Sequence, residues 1–157
     1  MNYEINEGTM AIISIGDGKC KILEDKKEYL IEKSSFDLID YSCKYFGSSF
    51  EGRKEGARAI LNLSYKVPIV IENTRNLIFF PTSAPTSPDC SWISLKDVEL
   101  VVERDYNSSK IIFKNGEEVE VPVSRRVIDN QILRASRLDL IMRDRKQVHN
   151  LERNSYL

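Results

Sequence analysis

Histidine and cysteine are scarce in this chain. Its 157 residues include one histidine, His149, and three widely spaced cysteines, Cys20, Cys43 and Cys90. An odd number of cysteines without a CxxC pair does not suit a disulfide scaffold, and the usual zinc and non-haem iron sites draw on several His or Cys ligands. We therefore expect no metal site and no cofactor.

Long apolar runs and catalytic motifs are also missing. No segment approaches the roughly 20 apolar residues of a membrane helix, and MNYEINEGTM lacks the features of a secretory signal. This predicts a cytoplasmic protein without a membrane partner. No Walker, GxSxG or Gly-rich nucleotide motif occurs, and nothing in the spacing of Cys43 and His149 predicts that they meet. We expect no enzymatic activity.

The charges are distributed unevenly, although the formal net charge is only −1. Residues 1–50 contain nine acids and six Lys or Arg, whereas from Val121 onward there are eight Lys or Arg and four acids. Between Ser42 and Lys66 there are five basic residues and two acidic ones. Two basic segments form a positive surface only if folding brings them together, so this pattern permits nucleic-acid binding without proving it.

The hydrophobic pattern predicts an α+β protein, with antiparallel β-sheets and hairpins and three helices in a single domain. Short apolar or alternating runs bounded by turn residues predict the strands, and Asn115-Gly116 gives the strongest hairpin signal. The predicted strands are Thr9–Ile15, Lys19–Leu23, Glu28–Ile31, Ile69–Ile71, Leu77–Phe80, Val98–Glu103, Lys110–Phe113 and Glu118–Val123.

Three helices follow from capping residues and apolar spacing. Ser34 and Ser35 precede the first, residues 36–46, which Gly47 ends. The second is predicted from Ser49 to about Asn62, and the third from about Arg125 to Arg145. The proline-rich stretch 81–89 is predicted to be an ordered loop within one domain, comprising residues 1–146, followed by a short polar tail, residues 147–157.

The start of the second helix is a candidate anion site. Helix N-termini present unpaired N–H groups and a positive dipole, and Ser48, Ser49, Arg53 and Lys54 lie there. Gly52 and Gly56 share a helix face at a cost of about 1 kcal/mol each. That cost suggests close approach by a nucleic-acid backbone, a partner or the protein's own sheet; the alternative is an ordinary capped helix with its glycines packed on the core.

A second basic stripe lies on the third helix, where spacings of four, four and three place its members on one face. This stripe could follow a phosphate backbone, or be simply a solvated face. Leu133 and Leu140 fall outside the main apolar arc, and either pack on another element of the chain or form a dimer contact. The members of the stripe are Arg126, Asn130, Arg134 and Arg137.

Long segments in sequence order resemble the ComK family, the competence transcription factors of Gram-positive bacteria. SCKYFGSSFEGRKEGA (42–57) resembles the signature of the family, and KVPIVI with LIFFPTSAPTSPDCSWISL (77–95) resembles its next block. FKNGEEVEVPVSRRVIDNQILRASRL (113–138) resembles the hairpin and helix that follow. The resemblance runs from about residue 3 to residue 145.

The resemblance implies a nucleoid-associated activator of DNA-uptake genes that recognises paired A/T-rich boxes, largely through the minor groove, as associating dimers or tetramers. The resemblance also implies DNA contacts at Ser48, Ser49, Arg53, Lys54 and Arg134. The basic pattern adds Arg58, Arg126, Asn130 and Arg137 to this set.

The better-known members of the family continue past the position of Arg145, through a tail implicated in activation and in capture by a proteolytic adaptor. The shorter polar end of this chain makes that adaptor a doubtful partner. It also raises an alternative function: a tail-less interaction module that modulates a full-length relative through mixed oligomers.

Overall fold

The first sheet is built from six short strands. The computed structural model describes residues 2–155, with the backbone alone at positions 149 and 152–155. All the pairings in this sheet are antiparallel, and the strand order is β3-β2-β1-β6-β5-β4. The strands are β1 (Ala11–Gly16), β2 (Lys19–Glu24), β3 (Lys27–Ile31), β4 (Ile69–Glu72), β5 (Leu77–Pro81) and β6 (Trp92–Ser94).

Both faces of this sheet are buried, which explains why its central strands are almost continuously apolar. Successive side chains of a strand point to opposite faces. Ile12 and Phe79 therefore pack into one hydrophobic core, while Ala11 and Phe80 pack into another. The first core joins the sheet to the first helix, and the second joins it to the C-terminal part of the chain.

A second sheet of three antiparallel strands follows, in the order β7-β8-β9. A short 3₁₀ turn, Leu95–Asp97, leads into it from β6. Its inner face contributes Val101, Ile111, Phe113 and Val121 to the second core. The strands are β7 (Val98–Asp105), β8 (Ser108–Phe113) and β9 (Glu118–Val121).

The helices are α1 (Ser35–Tyr45), α2 (Phe50–Leu61) and α3 (Arg125–Ser155). The Ser34 side chain accepts the Asp37 N–H at the start of α1, as the capping pattern predicted. Gly47 has φ +87°, a left-handed conformation that favours glycine. The predicted α+β class, with antiparallel sheets and three helices in one compact domain, is confirmed for the described residues.

The third helix is longer than predicted. It was expected to end near Arg145 but continues to Ser155. The prediction followed the apolar stripe, whose last member is Met142. The residues after it contain no glycine or proline to stop a helix, so residues 147–155 of the predicted polar tail extend α3.

The proline-rich segment is an ordered loop, as predicted, except that its first residue, Pro81, ends the strand β5. The Thr82 N–H donates to the Ser91 carbonyl at 2.9 Å, and the Ser91 N–H donates to the Thr82 hydroxyl at 3.0 Å. Within the loop, the Ser87 N–H donates to the Ala84 carbonyl. These bonds fix both ends of the loop at the strands β5 and β6.

Candidate nucleic-acid interface

The corner between α1 and α2 is closed by its own hydrogen bonds. The Ser49 hydroxyl accepts the Gly52 N–H at 3.0 Å, and the Asp40 carboxylate accepts the Phe50 N–H, also at 3.0 Å. Lys44 pairs with Asp40 at 2.8 Å. Although burial acts to raise the pKa of Asp40, the bonds from Lys44 and Phe50 outweigh it and lower that pKa.

This corner corrects the expected anion site. The prediction relied on unpaired N–H groups at the start of α2, but the protein's own side chains already accept those of Phe50 and Gly52. The Asp40 carboxylate also places a negative charge there. Two of the N–H groups on which the prediction relied are therefore already paired, and the Ser49 hydroxyl oxygen accepts one of them.

Helices α2 and α3 pack side by side and run antiparallel. Arg134, in the first half of α3, donates to the Tyr65 carbonyl just beyond the end of α2, at 3.1 Å. Leu138 and Met142, further along α3, meet Ser48 and Arg53 at the start of α2. We call the contact line between the two helices the α2–α3 seam. A small groove of about 120 Å³ opens along it.

The seam contains two exposed glycines, Gly52 and Gly56. A Cβ atom on Gly56 would meet nothing within 4 Å, and one on Gly52 would meet only the hydroxyl oxygens of Ser48 and Ser49, at 2.9 and 3.3 Å. The alternative that the glycines pack on the core or the sheet is therefore wrong. Close approach by a molecule from outside stays a prediction.

Arg53 is the basic residue that lines the groove of the seam. Its side chain is half-buried, and its Nε atom is buried with no hydrogen-bond acceptor among the described residues. Buried polar groups normally have partners, and an unsatisfied one destabilises the fold by about 1–3 kcal/mol. The Ser48 hydroxyl beside it likewise has no hydrogen-bond partner in the described part of the chain.

Gln131 holds α3 in place, and the sequence analysis missed it. Its side-chain NH₂ donates to the Lys66 carbonyl at 2.9 Å and to the Pro81 carbonyl at 2.7 Å. Its Oε1 accepts from Arg134 at 3.3 Å, although Gln131 itself is only 1% exposed. Position 131 lies on the buried arc of the helix, between Ile128 and Ala135. A polar residue on that arc is the signal that could have identified it.

The remaining basic residues predicted to contact DNA are dispersed around the two helices. Lys54 lies on another side of α2, 3.7 Å from Glu51 and 5.8 Å from the centre of the Phe50 ring. Arg58 lines a shallow depression together with Glu55. Three residues of the α3 stripe are exposed, namely Arg126, Asn130 and Arg137. The structure thus brings Ser48, Arg53 and Arg134 to the seam and leaves Lys54 and Arg58 away from it.

Leu133 and Leu140 lie on the solvent side of α3, each 68% exposed. The alternative that they pack on another element of the same chain is therefore wrong for the described residues. Leu151 is equally exposed further along the helix, and Val148 is 48% exposed. The dimer contact stays a prediction.

The cysteines do not form a reactive site. All three are buried, and burial raises the pKa of Cys20 to about 11 and that of Cys43 to about 12. Both thiols are therefore protonated at neutral pH. The His149 side chain, the other member of the weak dyad, lies outside the described residues.

Within residues 2–155, no described side chains form a cluster of three or more His, Cys, Asp or Glu that could hold a metal ion. No helix in that range is both long enough and apolar enough to cross a membrane.

Two comparisons define the family. The sequence profile of the ComK protein family matches residues 1–147. The chain is 33% identical over 147 residues to the "Competence transcription factor" of Bacillus subtilis (strain 168), covering 92% of this chain and 77% of that protein. No solved structure matches it significantly. The chain belongs to the ComK family.

Proposed function

We propose that this protein is a DNA-binding transcription activator of competence (DNA-uptake) genes, acting at the nucleoid without catalysis. Membership of the ComK family and the name of its B. subtilis relative support this role. In the proposed mode, the protein recognises paired A/T-rich boxes, largely through the minor groove, as associating dimers.

The single observation that carries DNA contact is the state of Arg53. Its side chain and Ser48 line an open groove, and within the described residues no acceptor is placed at its buried Nε. Arginine and serine are common phosphate ligands in protein–DNA complexes. A phosphate bound there would accept from Ser48 and from the exposed part of Arg53.

The seam also provides room for a DNA backbone. Gly52 and Gly56 present no side chain, so a sugar-phosphate strand can lie close to α2. Arg134 borders the seam, and Arg137 is one helical turn further along α3. A/T-rich DNA has a narrow minor groove whose negative potential attracts arginine side chains. The exposed Arg126, Asn130 and Arg137 are proposed to contact that DNA.

Recognition of two boxes in one site requires two copies of the protein. Leu133 and Leu140, seven residues apart and exposed, lie on one side of α3. We assign them to a contact with a second copy, since an apolar pair at this spacing is typical of helix–helix interfaces.

The test is a fluorescence-anisotropy titration against a duplex with two A/T-rich boxes, with a scrambled G/C-rich duplex of equal length as the control. We expect preferential binding, with log affinity falling by about 0.9 per phosphate contact for each log unit of salt. Equal affinity for the two duplexes, or no binding by folded protein, would contradict the proposal. Varying the box spacing then tests the dimer geometry.

The exposed Leu133 and Leu140 also favour a second candidate, an interaction module that modulates a full-length relative through mixed oligomers. Such a module is expected to bind DNA weakly by itself. It is also expected to change the sedimentation of a full-length relative when the two are mixed. Replacement of both leucines by glutamate should abolish that change. Tight specific DNA binding by the isolated protein would argue against this candidate.

A further inference from the structure

A groove of about 440 Å³ lies on the other flank of α3, between that helix and the strand β7. No part of the DNA-contact proposal uses this groove, because the seam is formed by α3 residues on the opposite flank. Its walls are Leu95 and residues 98–101 on one side, and on the other the α3 residues Arg125, Asp129, Ile132, Ser136 and Asp139.

One wall of the groove is an open sheet edge. β7 is the first strand in the order β7-β8-β9, so within the described residues it has a strand partner on one side only. The backbone N–H and C=O groups on the other side of such a strand can pair with an added strand. β7 spans eight residues, with irregularities in its pairing with β8 between Val98 and Leu100 and between Glu103 and Asp105. The regular edge that it offers to an extended peptide is therefore Leu100–Glu103.

The floor of the groove is apolar and its rim is mainly acidic. Val98 and Ile132 line the groove and pack against the second core, whereas Leu100, which is 52% exposed, points to the opposite face of β7. The charged residues of the lining comprise three acids and one base, Arg125. Arg125 pairs with Asp129 at 3.5 Å, and Asp139 pairs with Arg143 at 2.9 Å.

Glu99 therefore supplies the negative charge that no described basic side chain neutralises. It is exposed on the edge strand itself. A bound segment with a lysine or arginine near Glu99 would complement it, whereas DNA would be repelled. The charge and the open strand edge thus point to the same class of occupant, an extended polypeptide with basic residues.

We propose that the groove binds an extended segment of a partner protein, added as a strand to β7. Its alternate side chains are apolar and contact Val98 and Ile132, and a lysine or arginine pairs with Glu99. Strand addition supplies affinity through backbone hydrogen bonds and selectivity through the alternate side chains. The inference does not rest on DNA binding, and the two are tested separately.

The first experiment uses the full chain and synthetic peptides of about eight residues, in which valine alternates with lysine and threonine. Two matched peptides carry glutamate in place of lysine, or a central proline. Backbone amide NMR shifts are followed during each titration. We expect shifts confined to residues 98–105 and 125–139, about tenfold tighter binding of the lysine peptide than of the glutamate peptide, and no binding of the proline peptide.

The second experiment reverses the charge of the edge strand. Glu99→Lys should weaken binding of the lysine peptide about tenfold, so that the protein no longer prefers it to the glutamate peptide. The matched control is Glu28→Lys on β3, an exposed glutamate on another edge strand, which should leave both affinities unchanged.

Three outcomes would overturn the proposal. These are shifts along the α2–α3 seam in place of the groove, equal binding of the lysine and glutamate peptides, and undiminished binding of the proline peptide. DNA affinity of the Glu99→Lys protein is measured in parallel. Since Glu99 is remote from the seam, unchanged preference for the A/T duplex would leave the DNA proposal standing whichever result the peptides give.

Discussion

The two flanks of α3 have opposite chemistry although they belong to one helix. The flank towards α2 carries Arg134 and meets a half-buried arginine, Arg53, across exposed glycines. The flank towards β7 carries Asp129 and Asp139, each paired with an arginine, and meets Glu99 on an edge strand. A near-neutral chain can thus carry one surface proposed for phosphate and another proposed for a basic peptide. The net charge of the chain sums over both surfaces and therefore reveals neither of them.

Both flanks depend on the position of α3, which Gln131 holds together with the buried apolar residues of the helix. Gln131→Ala removes one buried and one partly buried hydrogen bond and leaves the Pro81 and Lys66 carbonyls without that donor. We expect the free energy of unfolding to fall by about 3 kcal/mol, measured by urea denaturation. The control is the exposed neighbour, Asn130→Ala, which should change it by less than about 0.5 kcal/mol. Equal effects of the two substitutions would show that the Gln131 hydrogen bonds do not stabilise the fold.

Gly56→Ala separates stability from binding on the α2 side. Its Cβ would meet nothing within 4 Å, so the helix propensity of alanine should stabilise the protein by about 1 kcal/mol. DNA affinity should nevertheless fall, because the methyl group occupies the floor of the seam. Thermal unfolding and anisotropy titrations measure the two effects.

The matched control for that substitution is Ala59→Gly, an exposed position on the same helix away from the seam. It should lower stability by about 1 kcal/mol and leave DNA affinity unchanged. If Gly56→Ala stabilises the protein without weakening binding, DNA does not approach the seam closely.

The smallest expected effect is the pH dependence of stability that Asp40 causes at the corner between α1 and α2. Since the pKa of Asp40 is lowered from its ordinary value of 3.8 in the folded protein, its ionised form contributes stability above that value. The contribution is lost as the pH falls through the lower folded-state pKa. Asp40→Asn should therefore be less stable than wild type at neutral pH, and the gap should narrow in acid, as followed by urea denaturation. A gap that is constant with pH would contradict this.

Local features of the fold were predictable because short-range chemistry determines them. The Ser34 cap, the Gly47 terminus and most strands of the two sheets follow from residues adjacent in sequence. The length of α3 was underestimated because the prediction relied on apolar spacing, and helix formation continues where nothing stops it. The strand order, with β6 between β1 and β5, depends on contacts between distant residues that no local pattern encodes.

The site was predictable only in part, for the same reason. The residue types at the start of α2 were identified from sequence, but Asp40 reaches that helix from α1 and takes an amide that the anion site needed. Arg53 and Lys54 are adjacent in sequence, yet they face different sides of α2. Only the packing of α3 shows which of the two belongs to the seam.

The most direct test of the central claim compares Arg53→Ala with Arg104→Ala in DNA binding at several salt concentrations. Arg104 pairs with Glu120 on the second sheet at 2.8 Å, away from the seam. We predict that Arg53→Ala weakens binding to the paired A/T duplex about tenfold and reduces the salt slope by about 1, while Arg104→Ala changes neither. Equal effects of the two substitutions, with both proteins folded, would contradict the assignment of the α2–α3 seam as the DNA-binding surface.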